Sequence, residues 1–186
     1  MEREHLKKVI ECLIFVSEKP LSINNLLRVL PESKRSEIND CIQELLNEWG
    51  SLDRGFRLHE VANGYQFRTD SEFREEIIRF KDIKPFRLSR AALEALAIIA
   101  YNQPITRVEI DQIRGVDSTG VIGVLLEKRL VEISGRKEVI GRPFLYATTN
   151  EFLETFGLKS LRHLPSLKEL EEIEASFEKP LQGLDS

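Results

Sequence analysis

Apolar residues recur along this chain in two rhythms, one of three to four residues and one of two. Leu6, Val9, Ile10, Leu13 and Ile14 follow the longer rhythm, which predicts a helix over residues 3–17 with one face turned inward. Pro20 ends it, since proline cannot donate the backbone bond that would continue a helix. Ser22 stands where an N-cap is wanted, and Leu26, Leu27 and Leu30 follow it, giving a short helix that Pro31 closes. Ile38, Cys41, Ile42, Leu45 and Trp49 form one stripe of a third helix from about Lys34, with Gly50 as its stop. The rhythm then shortens to two. Phe56–His59 and Tyr65–Thr69 alternate apolar and polar, and Asn63-Gly64 between them supplies the positive φ values of a tight turn, so a β-hairpin is expected. Residues 71–80 return to a helical pattern.

The same order of elements then appears again. Residues 83–87, with Pro85, read as a linker. Ser89 caps a helix from Arg90 to Tyr101, whose inward stripe is expected to be Leu93, Leu96, Ala97 and Ala100, with Ile98 and Ile99 widening it. Pro104 ends that helix. Thr106 and Glu109 have the spacing of a capping box, in which hydroxyl and carboxylate each satisfy an orphan backbone N–H, and the short helix they open stops at Gly115. A third helix runs from about Ser118 to Lys128. Val131–Ile133 and Phe144–Thr148 read as a second hairpin, its longer tip containing Gly135 and Gly141. Pro20-Leu21-Ser22 and Pro104-Ile105-Thr106 are 84 positions apart, and Leu13-Ile14-Phe15 aligns with Ala97-Ile98-Ile99 at the same offset. Both halves are therefore expected to be a helix-turn-helix followed by a wing. The fold class is mainly α with small β-hairpins (α+β): two tandem winged helix-turn-helix domains, residues 1–82 and 88–165. Residues 150–157 add a short helix. Residues 166–186 form an acidic C-terminal helix and tail, helical over 166–178 and loose from Leu181 to Ser186.

Charge changes the picture at one point. The net charge of −4 is spread as −3 over residues 1–82, +3 over 83–165 and −4 over 166–186. A winged helix often reads DNA with its third helix. Here the first such helix carries Glu37, Asp40, Glu44 and Glu48 against Lys34 and Arg35, and would repel phosphate. The second, Ser118–Lys128, is nearly devoid of the long polar side chains that base edges require. Only Lys128, Arg129, Arg136, Lys137 and Arg142, around the second wing, form a basic group. DNA contact is therefore expected to be at most weak and non-specific. The alternative reading is a winged-helix DNA-binding regulator that uses this basic second wing.

The chain shows no sign of enzymatic chemistry. His5, His59 and His163 fall in separate elements, and no triad, metalloprotease or phosphate-loop pattern is present. The chain is expected not to be an enzyme and to need no metal or cofactor. Cys12 and Cys41 lie within helical patterns and read as small buried hydrophobes of a reducing compartment. The N-terminus lacks the apolar core of a signal peptide, and the longest apolar stretch, Ala91–Tyr101, is about half of what a bilayer span requires. A cytoplasmic protein without a membrane partner is expected.

Several separated motifs, in order, carry a resemblance to a known family. They are Leu88-Ser-Arg-Ala-Ala-Leu-Glu-Ala-Leu-Ala-Ile-Ile-Ala-Tyr-Asn-Gln-Pro-Ile-Thr-Arg, Ile113-Arg-Gly-Val, Gly135-Arg-Lys, Gly141-Arg-Pro-Phe-Leu-Tyr146, Thr148-Thr-Asn-Glu-Phe-Leu and Phe156-Gly-Leu-Lys-Ser-Leu161. Together they resemble the bacterial segregation and condensation protein B (ScpB) family, specifically over residues 88–165 and more loosely over 1–82. Gly123 and Ile140 depart from that pattern, standing where the family often has a polar or basic residue and a proline. The resemblance implies a non-enzymatic accessory subunit of the SMC condensin complex, active in chromosome condensation and segregation and associated with the nucleoid. It implies a homodimer formed largely through the N-terminal domain. It also implies binding of the kleisin ScpA, and of SMC through ScpA, largely by the C-terminal domain. On this chain the expected partner-binding residues are Leu96, Ile99, Tyr101, Arg114, Arg136, Arg142 and Tyr146.

Overall fold

The computed structural model describes residues 2–82, 87–166 and 169. The reading of residues 83–87 as a linker lies, but for Arg87, outside the described residues, as does nearly all of the acidic helix and tail. In the first half, α1 (Arg3–Val16), α2 (Ile23–Val29) and α3 (Arg35–Ser51) precede the strands β1 (Phe56–Val61) and β2 (Gly64–Thr69). A single 3-10 turn, Ser71–Phe73, leads into α4 (Arg74–Lys81). The second half repeats the plan with α5 (Arg90–Asn102), β3 (Ile105–Thr106), α6 (Arg107–Arg114), α7 (Thr119–Glu127), β4 (Val131–Arg136) and β5 (Phe144–Thr148). The helix α8 (Asn150–Thr155) and a 3-10 turn, Leu161–His163, follow. These are two tandem winged helix-turn-helix domains.

The caps form as the spacing predicts. Ser22 Oγ accepts the Asn25 N–H at 3.2 Å, and Ser89 Oγ accepts that of Ala92 at 3.2 Å. In the capping box, Glu109 Oε2 accepts the Thr106 N–H at 2.9 Å and Thr106 Oγ1 accepts the Glu109 N–H at 3.4 Å. The repeat extends to pairing. Ile105 pairs with Tyr146 in a three-stranded sheet of order β3-β5-β4, and Leu21, 84 positions earlier, makes a single antiparallel bridge with Tyr65.

Four local expectations need correction. Helix α3 runs through Gly50 to Ser51, since an exposed glycine weakens a helix without breaking it. Cys12 is exposed; only Cys41 is buried, which pushes its thiol pKa up. On α5 the inward residues are Ala92, Ala95, Leu96, Ile99 and Ala100, while Leu93 and Ala97 face solvent. The first hairpin turn is Ala62-Asn63, not Asn63-Gly64. Val61 pairs with Gly64, and φ is +48° at Ala62 and +59° at Asn63. Gly64 serves a different need: a Cβ there would lie 2.9 Å from the backbone carbons of both Pro20 and Leu21.

Two apolar cores result. The first gathers Leu6, Ile10 and Ile14 of α1, Leu26 of α2, Ile38, Ile42 and Leu45 of α3, and Leu58 and Tyr65 of the hairpin. The second gathers the inner face of α5 with Ile110, Ile122, Leu125, Val131, Tyr146, Phe152 and Leu153. Val61 and Ala62, at the tip of the first wing, pack into this second core.

Candidate partner-binding site

The seven residues expected to meet a partner do not form one surface. Leu96 and Ile99 are 2% and 0% exposed, and Tyr146 is buried beside them, so these three shape the domain from within. Arg114 is also withdrawn, its side chain only 5% exposed. Its Nε donates to Glu94 at 3.2 Å and its Nη1 to Ser118 Oγ at 3.1 Å, tying α6 to α5 and to the start of α7. Asp111 completes this junction by accepting the Ser118 N–H at 2.8 Å. Buried charge needs partners of this kind, and a guanidinium so engaged is structural.

Tyr101, Arg136 and Arg142 remain at the surface, in two places. Tyr101 closes α5, 43% exposed, with its hydroxyl donating to the Pro165 carbonyl at 2.6 Å. Gln103, two residues on, accepts the Thr148 N–H at 2.8 Å, which fixes this end of α5 at the C-terminal end of β5. Arg136 pairs with Phe144 at the other end of β5. Phe144 and Thr148 are four residue steps apart on the strand, about 14 Å at ~3.4 Å per residue. At the wing the Arg136 guanidinium lies 4.1 Å from the Phe144 ring centre, and its Nη1 donates to the Arg142 carbonyl at 3.1 Å. Arg142 itself reaches Glu138 at 3.1 Å. Between these cations Ile140 stands fully in solvent.

The sequence reading missed the outer stripe of α5. Leu93 (45% exposed), Ala97 and Tyr101 lie at positions i, i+4 and i+8 and make one apolar line on the outside of the helix. Of this line Tyr101 is expected at a partner surface, because a helix apolar nearly all round has more apolar surface than one small core covers, whereas Leu93 and Ala97 are expected inward. A second apolar feature lies on the first domain, a cleft of about 370 Å³ lined by Cys12, Phe15, Val16, Trp49, Phe56 and Phe67. Trp49 and Phe67 meet edge to face there at 4.8 Å, and the Trp49 indole donates to Glu11 at 2.7 Å. Phe15 and Val16 protrude beside this cleft.

Comparison with known proteins places this architecture. The profile of a family described as "Segregation and condensation complex subunit ScpB" matches residues 8–167. The chain belongs to the ScpB family. A segregation and condensation protein B of Syntrophotalea carbinolica is 48% identical over 186 residues, covering 100% of this chain and 94% of that protein. One of Clostridium perfringens is 45% identical over 175 residues, covering 92% and 88%. Among solved structures, a dimer of an ScpB N-terminal domain complexed with an ScpA peptide is 25% identical over 45% of this chain and 92% of its own, at a TM-score of 0.35.

In this ScpB-family chain the second wing is braced by one ion pair with a pH signature. The Lys137 ammonium donates to Glu109 at 2.5 Å, and with the bonds from Thr106 it lowers the Glu109 pKa from 4.5 to about 2. A depressed carboxylate stabilises the folded chain at pH above the ordinary value of 4.5, and that contribution is lost as pH falls through about 2. In denaturant titrations across this window, the stability gap between the wild type and Glu109→Gln is expected to shrink toward acid. A gap independent of pH would remove the carboxylate from this role. The group is partly open to solvent, which screens the effect.

Proposed function

We propose that this chain is a non-enzymatic subunit of the SMC condensin complex, a homodimer that binds the kleisin ScpA and reaches SMC through it. It would then act at the nucleoid in chromosome condensation and segregation. The observation that carries the reading is family membership over nearly the whole chain, in a family described as complex subunits. The surfaces agree with it. The Leu93–Ala97–Tyr101 line suits the apolar face of an amphipathic segment, a common mode of peptide recognition. The second wing, with Arg136 and Arg142 flanking Ile140, is a separate basic site that suits an acidic stretch of the same partner. The first-domain cleft has a protruding Phe15-Val16 pair beside an apolar hollow, and a two-fold interface needs that kind of self-complementary patch.

The recognition helices count against the DNA-binding alternative. Helix α3 carries Glu37, Asp40, Glu44 and Glu48, and α7 (Thr119–Glu127) has no Arg, Lys, Asn or Gln to reach base edges. Size-exclusion chromatography with light scattering, on the chain alone and with its cognate ScpA, tests the main reading. A dimer that shifts to a larger complex is expected. Leu93→Asp is expected to abolish that shift, and Arg136→Glu with Arg142→Glu to weaken it, with melting curves unchanged. If the wild type ignores ScpA, the function reading fails. If every variant still binds fully, only the assignment of the surface fails.

A further inference from the structure

In many winged helices the wing is free to touch a ligand, but here the first wing is committed within the chain. Its tip donates two consecutive backbone bonds to the second domain, Ala62 N–H to the Leu158 carbonyl at 2.9 Å and Asn63 N–H to that of Lys159 at 2.8 Å. Charges and polar groups line the same seam. Lys19 meets Glu151 at 3.3 Å, Lys159 meets Glu60 at 3.1 Å, and Arg68 Nη1 donates to the Glu154 carbonyl at 3.0 Å.

Ala62 is the residue that gives the seam its meaning. Its φ of +48° is a left-handed conformation that a Cβ disfavours, and hairpin turns of this geometry take Asn, Asp or Gly. Alanine offers no side-chain hydrogen bond in exchange. It offers a methyl group, buried here in the apolar cluster of the second domain together with Val61. A strained backbone persists where its surroundings over-determine it. The surroundings in this case belong to the other domain, with the backbone acceptors Leu158 and Lys159 each 96 positions further along the chain, too far for a local turn rule to have required them.

We propose that the tip of the first wing is an interdomain latch. It holds the two winged helices in one relative arrangement and withdraws the first wing from any outside ligand. The first-domain cleft and the Leu93 stripe are thereby kept at a set spacing. The latch itself depends on neither ScpA nor dimer formation, so it can be tested on the chain alone.

The test measures the distance between two nitroxide labels, at Ser36→Cys on α3 and Gln112→Cys on α6, in a Cys12→Ser background. The spin-labelled chain is diluted with unlabelled chain, so that only distances within one copy are read. Both label sites are exposed and lie in different domains. The otherwise unaltered chain and an Ala62→Gly variant are expected to give one narrow distance, because glycine keeps both the turn and the backbone bonds. Ala62→Asp suits the left-handed turn equally well but puts a carboxylate into the apolar seam, and is expected to lose the narrow peak. Lys159→Glu, which sets like charges opposite Glu60, is expected to weaken the peak, and adding Glu60→Lys to restore it. A misfolded chain would show no such rescue. A distribution already broad without seam substitutions, or one equally narrow in Ala62→Asp and Lys159→Glu, overturns the latch.

Discussion

Gly64→Ala is expected to destabilise the first domain by about 3 kcal/mol, the upper end of what overpacking normally costs. The added Cβ would sit 2.9 Å from the Pro20 and Leu21 carbonyl carbons and 3.0 Å from the Pro20 oxygen. These are backbone atoms, so no rotamer change relieves the contact. Nor can the segment step back freely. Leu21 N–H donates to the Tyr65 carbonyl at 2.9 Å and Tyr65 N–H to that of Leu21 at 3.1 Å, and retreat would break both bonds. For a domain of this size, each kcal/mol lowers Tm by roughly 4–8 °C, so the shift is easily read in a thermal melt followed by circular dichroism. Gly135→Ala is the matched control. A Cβ at that position meets nothing within 4 Å, and its cost is expected to stay below about 1 kcal/mol. A loss as small for Gly64→Ala would mean that the Pro20–Leu21 segment moves without penalty.

Ile99→Ala is expected to cost the second domain about 2–5 kcal/mol, by lost burial and by the cavity left behind. Ile99 is fully enclosed by α6, α7 and the sheet. Leu93, six positions earlier on the same helix, is open to solvent, and its replacement by alanine is expected to stay within about 0.5 kcal/mol. The pair separates the core from the proposed contact surface. Chemical denaturation reports the Ile99 loss, whereas ScpA capture by the residual folded Ile99→Ala protein is expected to be normal. Leu93→Ala is expected to do the reverse, melting normally and binding less. Equal stability of the two variants would contradict the orientation of α5.

Most of the fold was legible because its signals are local. Ser22, Ser89 and Thr106 each cap the helix that follows, since a hydroxyl at that position lies within reach of a backbone N–H three residues on. The offset of 84 positions placed Leu21 and Ile105 in matching roles, each meeting a tyrosine of its wing. The candidate site was less legible. Arg114 belongs to a family motif, yet its charge is spent on Glu94 and Ser118, and nothing in the spacing of Ile113-Arg-Gly distinguishes a presented arginine from an inserted one. Leu93 and Ile99 are both apolar on one helix, and their difference lies in what packs against each.

The sequence alone therefore determined the elements, their order, their duplication and the family, because capping, turn chemistry and apolar spacing act within a few residues of chain. Tertiary contacts decided which apolar residues of α5 remain outside, why Gly64 is a glycine, and that Ala62 holds a left-handed turn against the second domain. Each of these depends on atoms brought close from remote positions: Pro20 and Leu21 beside Gly64, and Leu158 beside Ala62. Steric exclusion and burial act between surfaces, and those surfaces exist only once the chain has folded.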